Sequence, residues 1–100
     1  MIKITNTQKK YLRVLANGLK PIITIGKNGL SENVLLELES SMKSHELLKI
    51  KLSYADHKDK QQIIDKIIKH SNAVLVQVIG GSLTIYKNFE KDPVILLPRK

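Results

Sequence analysis

Pro21-Ile22-Ile23-Thr24-Ile25 is a short apolar run that leads straight into Gly26-Lys27-Asn28-Gly29-Leu30-Ser31, and a helical pattern from Ser31 to Ser44 leads out. A strand, a loop with two glycines three apart and a capped helix thus follow one another, and this order constrains the fold more than any other stretch. A strand handing directly to a helix argues for a sheet that carries helices. The loop also has chemistry of its own. The first N–H groups of the following helix lack intrahelical partners and carry the positive end of its dipole. Gly26 and Gly29 have no Cβ, so another backbone can come close. Lys27 adds a mobile cation, and Asn28 tolerates left-handed backbone. Such a place favours a phosphate or a sugar-phosphate backbone. A lone GxxG is also the pattern of an ordinary strand-to-helix turn.

The charge around the loop is unevenly placed. Residues 1–31 hold Lys3, Lys9, Lys10, Arg13, Lys20 and Lys27 and no acidic residue. Residues 32–46 reverse the sign, with Glu32, Glu37, Glu39 and Glu46 against Lys43. A chain tuned only for solubility would mix its signs. The net charge of +8 suits an anionic partner, most simply nucleic acid. One hundred residues make one domain, expected over 1–100 with about 94–100 as a tail packed on it. There is no cysteine, which excludes disulfides and thiolate metal sites and is compatible with a reducing cytoplasm. The longest apolar runs, such as Val94 to Leu97, are far short of a membrane span, and Met1-Ile2-Lys3-Ile4-Thr5 lacks the apolar core of a signal peptide. A cytoplasmic protein with no membrane partner is expected.

Along the chain, Thr5 and Gln8 fit a capping box, and Leu12, Leu15, Ala16 and Leu19 recur as one face of a helix from about Thr7 to Asn17. Lys9, Lys10 and Arg13 fall on the other side, and Gly18 is a stop. In the next helix Ser31 is the N-cap, Leu30 and Leu35 occupy the places of a hydrophobic staple, and Val34, Leu35, Leu38 and Met42 form the buried face. Leu47 to Tyr54 alternates, with Lys49 and Lys51 on the wet side. Asp56 or His57 opens a third helix with Ile63, Ile64, Ile67 and Ile68 as its stripe and Asn72 as its stop. Ala73–Ile79 and Ser82–Lys87 flank a Gly80-Gly81 hairpin turn. The predicted order is α-β-α-β-α-β-β, an α/β fold with a four-stranded mixed sheet.

Catalytic chemistry finds no foothold in these residues. His45, His57 and His70 lack the spacing of a helical metal pair, and no nucleophile motif or Walker loop is present. Tyr11, Tyr54 and Tyr86 are read as core or core-edge residues, which leaves backbone reading, with phosphates and sugars held by loop amides and lysines.

Several segments together carry a resemblance: Leu12-Arg13, Leu19-Lys20-Pro21, Ile25-Gly26-Lys27-Asn28-Gly29-Leu30-Ser31, Glu46-Leu47-Leu48-Lys49-Ile50-Lys51, Val76-Gln77-Val78-Ile79-Gly80, Ile85-Tyr86-Lys87 and Leu97-Pro98-Arg99. In this order the chain resembles the CRM (chloroplast RNA splicing and ribosome maturation) domain in its stand-alone bacterial, YhbY-type form. The resemblance implies a two-layer α/β sandwich similar to the carboxy-terminal domain of bacterial translation initiation factor three. It implies a non-enzymatic, monomeric protein without cofactor or metal that binds ribosomal RNA in precursors of the large subunit. The RNA-binding residues expected are Gly26, Lys27, Asn28 and Gly29, with Lys9, Lys10, Arg13, Lys20, Lys49, Lys51 and Arg99 as the adjacent basic surface. Lys87 departs from the family, where many members carry Arg; a planar fork becomes a point charge. The alternative is a protein-interaction module that docks on a ribosomal protein through the acidic face of the second helix.

Overall fold

The fold is built across the alternation of the strand Leu47–Leu52. In the computed structural model, which describes residues 4–26, 30–52, 57–89 and 95, the elements are α1 (Asn6–Ala16), β1 (Ile23–Ile25), α2 (Glu32–Ser44), β2 (Leu47–Leu52), α3 (His57–Ser71), β3 (Val74–Ile79) and β4 (Ser82–Tyr86). The four strands form one sheet in the order β1-β2-β4-β3. β1 runs parallel to β2, while β4 is antiparallel to both β2 and β3. A parallel pair needs a crossover, and α2 supplies it. Order, class and mixed pairing all follow the sequence pattern.

Each side of β2 faces a different helix set. Leu48, Ile50 and Leu52 join Ile23, Ile25, Leu83 and Ile85 on one face of the sheet, under Leu38 of α2 and Ile64 and Ile67 of α3. Sheet and these two helices make the two layers expected, and α1 adds partial cover on the other face. On the reverse face Leu47, Val76 and Tyr86 pack against Leu12 and Ala16 of α1. Sequence periodicity shows that α1 has an apolar stripe but not which side of the sheet receives it. The stripe is also narrower than expected: Leu12 and Ala16 are fully buried, whereas Leu15 and Leu19 stay 37% and 36% exposed.

Local chemistry fixes the ends of the helices. Thr5 Oγ1 accepts from the Gln8 N–H at 3.1 Å and Gln8 Oε1 accepts from the Thr5 N–H at 2.9 Å, the reciprocal capping box. α1 stops without a left-handed residue; Asn17 is right-handed, and the Gly18 N–H donates to Leu15 O at 3.3 Å in a tightened last turn. Ser31 Oγ accepts from the Val34 N–H at 3.3 Å and caps α2. Leu30 and Leu35, the staple pair, line one cavity of about 420 Å³ with Lys66, Lys69 and His70 of α3. Asn72, at φ 59°, ends α3 in the left-handed region that Asn tolerates.

The hairpin turn needs its glycines. Gly80 lies at φ 55°, and a Cβ on Gly81 would come within 3.1 Å of Leu52 O. Lys60 Nζ on α3 donates to Gly80 O, which ties the turn to the helix. The expected tail over 94–100 lies outside the described residues except for Ile95, which packs beside the α1 core.

Candidate nucleic-acid interface

Cross-strand partners share a face of the sheet, so the register defines what α1 leaves uncovered. Lys49 lies opposite Thr84, which lies opposite Gln77. Lys51 lies between Thr24 of β1 and Ser82 of β4, and Ser82 lies opposite Ile79. Beyond the row Leu47–Tyr86 that α1 covers, the same face carries a partly covered row, Lys49–Thr84–Gln77, and then an open row, Thr24–Lys51–Ser82–Ile79. Rows on one face are about 7 Å apart along the strand. Thr24, Lys51 and Ile79 are exposed, Lys49, Gln77 and Ser82 half-buried, and Thr84 buried.

α1 forms a wall beside this floor. At about 100° per residue, Lys9 and Arg13 lie on one flank of the Leu12–Ala16 stripe, while Tyr11 and Leu15 lie on the other. Leu15 lines a cavity of about 300 Å³ with Ser44, His45, Glu46 and Leu47, at the end where β2 begins. The basic flank therefore turns toward these two rows. One bond fixes it there. β3 carries a bulge between Leu75 and Gln77, and the Nε–H of Arg13 donates to Val76 O within that bulge at 3.4 Å. Arg13 is thereby held at the junction of wall and floor.

The remaining expected residues are distributed as follows. β1 runs from Ile23 opposite Ile50 to Ile25 opposite Leu52, so Gly26 leaves the sheet at the Lys51 end of the floor. Gly26 is half-buried; Lys27, Asn28, Gly29 and Arg99 lie outside the described residues. Lys9 is half-buried and Lys10 exposed on the wall. Lys20 is exposed but precedes β1, at the end of that strand opposite the loop, so the fold does not bring it to Gly26.

Charge sorts by face. Among the described side chains the exposed acids are Glu32, Glu37, Glu39 and Asp65, all on α2 and α3. Wall and floor carry none. The acids of α2 do not form one surface, either. Glu39 Oε1 meets His70 Nε2 of α3 at 2.9 Å, and Glu37, two residues away, lies about 160° round the helix. Lys66 and Lys69 share that mixed-sign α2–α3 side with Asp65 and His70.

Two residues turn out to serve the fold. Glu46 reads in the sequence as part of a negative field but is only 4% exposed. Its carboxylate accepts from the N–H groups of Phe89 at 2.7 Å and Ile95 at 2.6 Å, clamping the segment after β4. Lys87 Nζ donates to Ser71 O at 3.1 Å, a cation on the last carbonyls of α3, where a point charge suits the helix dipole. The phenol of Tyr86 is pushed above its ordinary range by burial and, secondarily, by the nearby Glu46 charge. Tyr11, read as core or core-edge, is 40% exposed on the flank away from the floor.

Thr24, Gln77 and Ser82 are floor residues that sequence reasoning did not single out. Strand alternation carries a signal for Thr24 and Ser82. For Gln77 it does not, because the bulge shifts its register. Among the described residues no group of three or more His, Cys, Asp or Glu could hold a metal ion, and no helix is long and apolar enough to cross a membrane.

Comparison with known proteins identifies the family. Residues 4–87 match the family model for the CRS1 / YhbY (CRM) domain. A Haemophilus influenzae protein named "RNA-binding protein" is 42% identical over 100 residues, the whole of both chains. "Probable RNA-binding protein YqeI" of Bacillus subtilis is 32% identical over 95 residues, 95% of this chain and 99% of that one. A hypothetical protein from Staphylococcus aureus, solved in solution, superposes with a TM-score of 0.81 at 33% identity, covering 96% of this chain and 100% of its own. A model spanning residues 4–87, and relatives matched along nearly their full length, place the chain in one family: it belongs to the CRS1/YhbY (CRM) domain family.

Proposed function

We propose that this protein is a non-enzymatic RNA-binding protein of the cytoplasm that acts in ribosome biogenesis, holding ribosomal RNA in precursors of the large subunit. The observation that carries the RNA reading is the separation of charge: Lys9, Arg13, Lys49 and Lys51 line one step, Lys10 is exposed on the outer side of α1, and every exposed described acid lies on the far helices. A polyanion is attracted to such a face and is repelled less than by a mixed surface. The names of the relatives support RNA as the partner. The ribosomal assignment rests on the family resemblance of the sequence. In this reading the RNA backbone enters at Gly26–Gly29, where the capped start of α2 offers free amides, and runs along the floor against α1. The RNA is clamped while neighbouring segments fold or dock.

The test is a charge reversal in the loop. Lys27→Asp with Asn28→Asp keeps both glycines and places two anions where phosphate is to sit. The repulsion and the lost lysine contact contribute roughly 1 kcal/mol apiece, together about a tenfold to hundredfold loss of affinity. The control is Ser40→Asp with Gln62→Asp, two exposed positions on α2 and α3. Equal RNA affinity of the two double variants, at equal melting temperature, would reduce the loop to a structural turn.

A further inference from the structure

The step between α1 and the open part of the sheet has a shape as well as a charge, and the shape selects among RNAs. We infer that its ligand is double-helical RNA, gripped along the sugar-phosphate backbone across the shallow minor groove; this rests on the RNA-binding reading above.

Three observations converge. The floor is one face of the sheet beside α1, with the row Thr24–Lys51–Ser82–Ile79 open and the row nearer α1 partly covered. A-form RNA offers a flat surface only in its wide, shallow minor groove; its major groove is too deep and narrow for side chains to read. The floor then mixes cations with neutral polar groups between Lys49, Lys51 and Arg13: the hydroxyl of Thr24 and the amide of Gln77, which donate and accept, and the hydroxyl of Ser82, which donates to Ile79 O at 3.2 Å and is left to accept. Cations hold phosphates, while hydroxyl and amide groups match the 2′-hydroxyls displayed in that groove. Finally, the step has no stacking platform among the described residues. Tyr86 is buried beneath α1, Tyr11 lies on the far flank of that helix, and Phe89 lines the cavity under Leu15 and Leu19. Proteins that hold single strands stack bases on aromatic rings; this floor offers none of the described rings to an unpaired base.

The experiment compares three probes at one salt concentration with the full chain. They are an RNA hairpin with a stem of about 16 base pairs, the unpaired strand of that stem, and the DNA duplex of the same sequence. The hairpin is expected to bind at least about tenfold more tightly than either competitor. Lys49→Gln with Lys51→Gln, checked for an unchanged melting temperature, is expected to weaken hairpin binding about tenfold and single-strand binding by less than about twofold. Thr24→Val with Ser82→Ala is expected to narrow the gap between RNA and DNA duplexes without changing the salt dependence. Single-strand or DNA binding as tight as that of the hairpin, or equal losses on hairpin and single strand in the lysine variant, would overturn the duplex assignment while leaving RNA binding intact. Failure of every RNA probe to bind would instead overturn the RNA-binding reading itself, and the duplex assignment with it.

Discussion

The two faces of the sheet are made from the same strands, yet they differ in what covers them. On one side Leu48, Ile50 and Leu52 of β2 disappear beneath α2 and α3. On the other, Leu47 disappears beneath α1, but Lys49 and Lys51 remain outside it. The closed face is flanked by helices of mixed charge, and the open face is bounded by a helix whose near flank is basic. A period-two pattern can therefore carry stability and binding in a single strand, one residue apart. Changes on the two faces should separate cleanly into stability effects and binding effects.

The largest break should come from the closed face. Ile50→Ala removes a fully buried side chain between β1 and β4, and such deletions cost about 2–5 kcal/mol. Urea denaturation should show this loss, while the protein that remains folded binds RNA as before. Loss of RNA affinity in the folded fraction would mean that the faces are not independent. Next in size is the wall. Lys9→Ala, Lys10→Ala and Arg13→Ala together should weaken RNA binding roughly a hundredfold, alike for unrelated sequences, because phosphate contacts carry no sequence information. Their effect on stability should stay small, since Lys10 and Arg13 are exposed and Lys9 is half-buried, and among the described residues the Arg13 bond to the bulge is the side-chain hydrogen bond lost with them.

A smaller effect sharpens the comparison at the covered end of the open face. Glu46→Ala leaves the N–H groups of Phe89 and Ile95 without their acceptor, a cost of about 1–3 kcal/mol. Stability should fall in denaturant with RNA affinity unchanged, which distinguishes a clamp from a member of a surface field. The smallest effect is pH-dependent. Tyr86 is held neutral in the folded state, so its phenol ionises first in the unfolded chain. Its contribution is fully present below about pH 10 and is lost as pH rises through the raised folded value. Urea midpoints should therefore fall more steeply above about pH 10 in the native protein than in Tyr86→Phe. Parallel curves would remove the buried phenol from the account.

Much of this architecture is legible in the sequence because its signals are local. Thr5 and Gln8 sit three residues apart and cap each other; Ser31 caps α2; Asn72 ends α3. The alternation of Leu47–Leu52 announces two faces and places Lys49 and Lys51 on the same one. What escapes is set by distant partners. Glu46 sits among acids in the sequence but is buried by residues 43 and 49 positions away. Lys87 belongs to the end of α3 through Ser71, and Arg13 to a bulge 63 positions on. The side of the sheet that α1 takes decides whether Leu15 is core or flank, and no local period encodes it. The same holds for the site: its lysines can be read off a helix and a strand, whereas the step they form depends on long-range register.

The most direct test of the central claim is the slope of log affinity against log salt for an RNA hairpin, measured for the native protein and two variants. About five neutralised phosphates on a duplex give a slope near −4.5. Lys49→Gln with Lys51→Gln removes two cations from the floor and should make the slope shallower by about 1.8. Lys43→Gln removes one exposed cation from the last turn of α2, at the end of that helix away from the loop, and should leave it unchanged. A shallower slope in the second variant with the native slope in the first would place the RNA on the closed face and contradict the account.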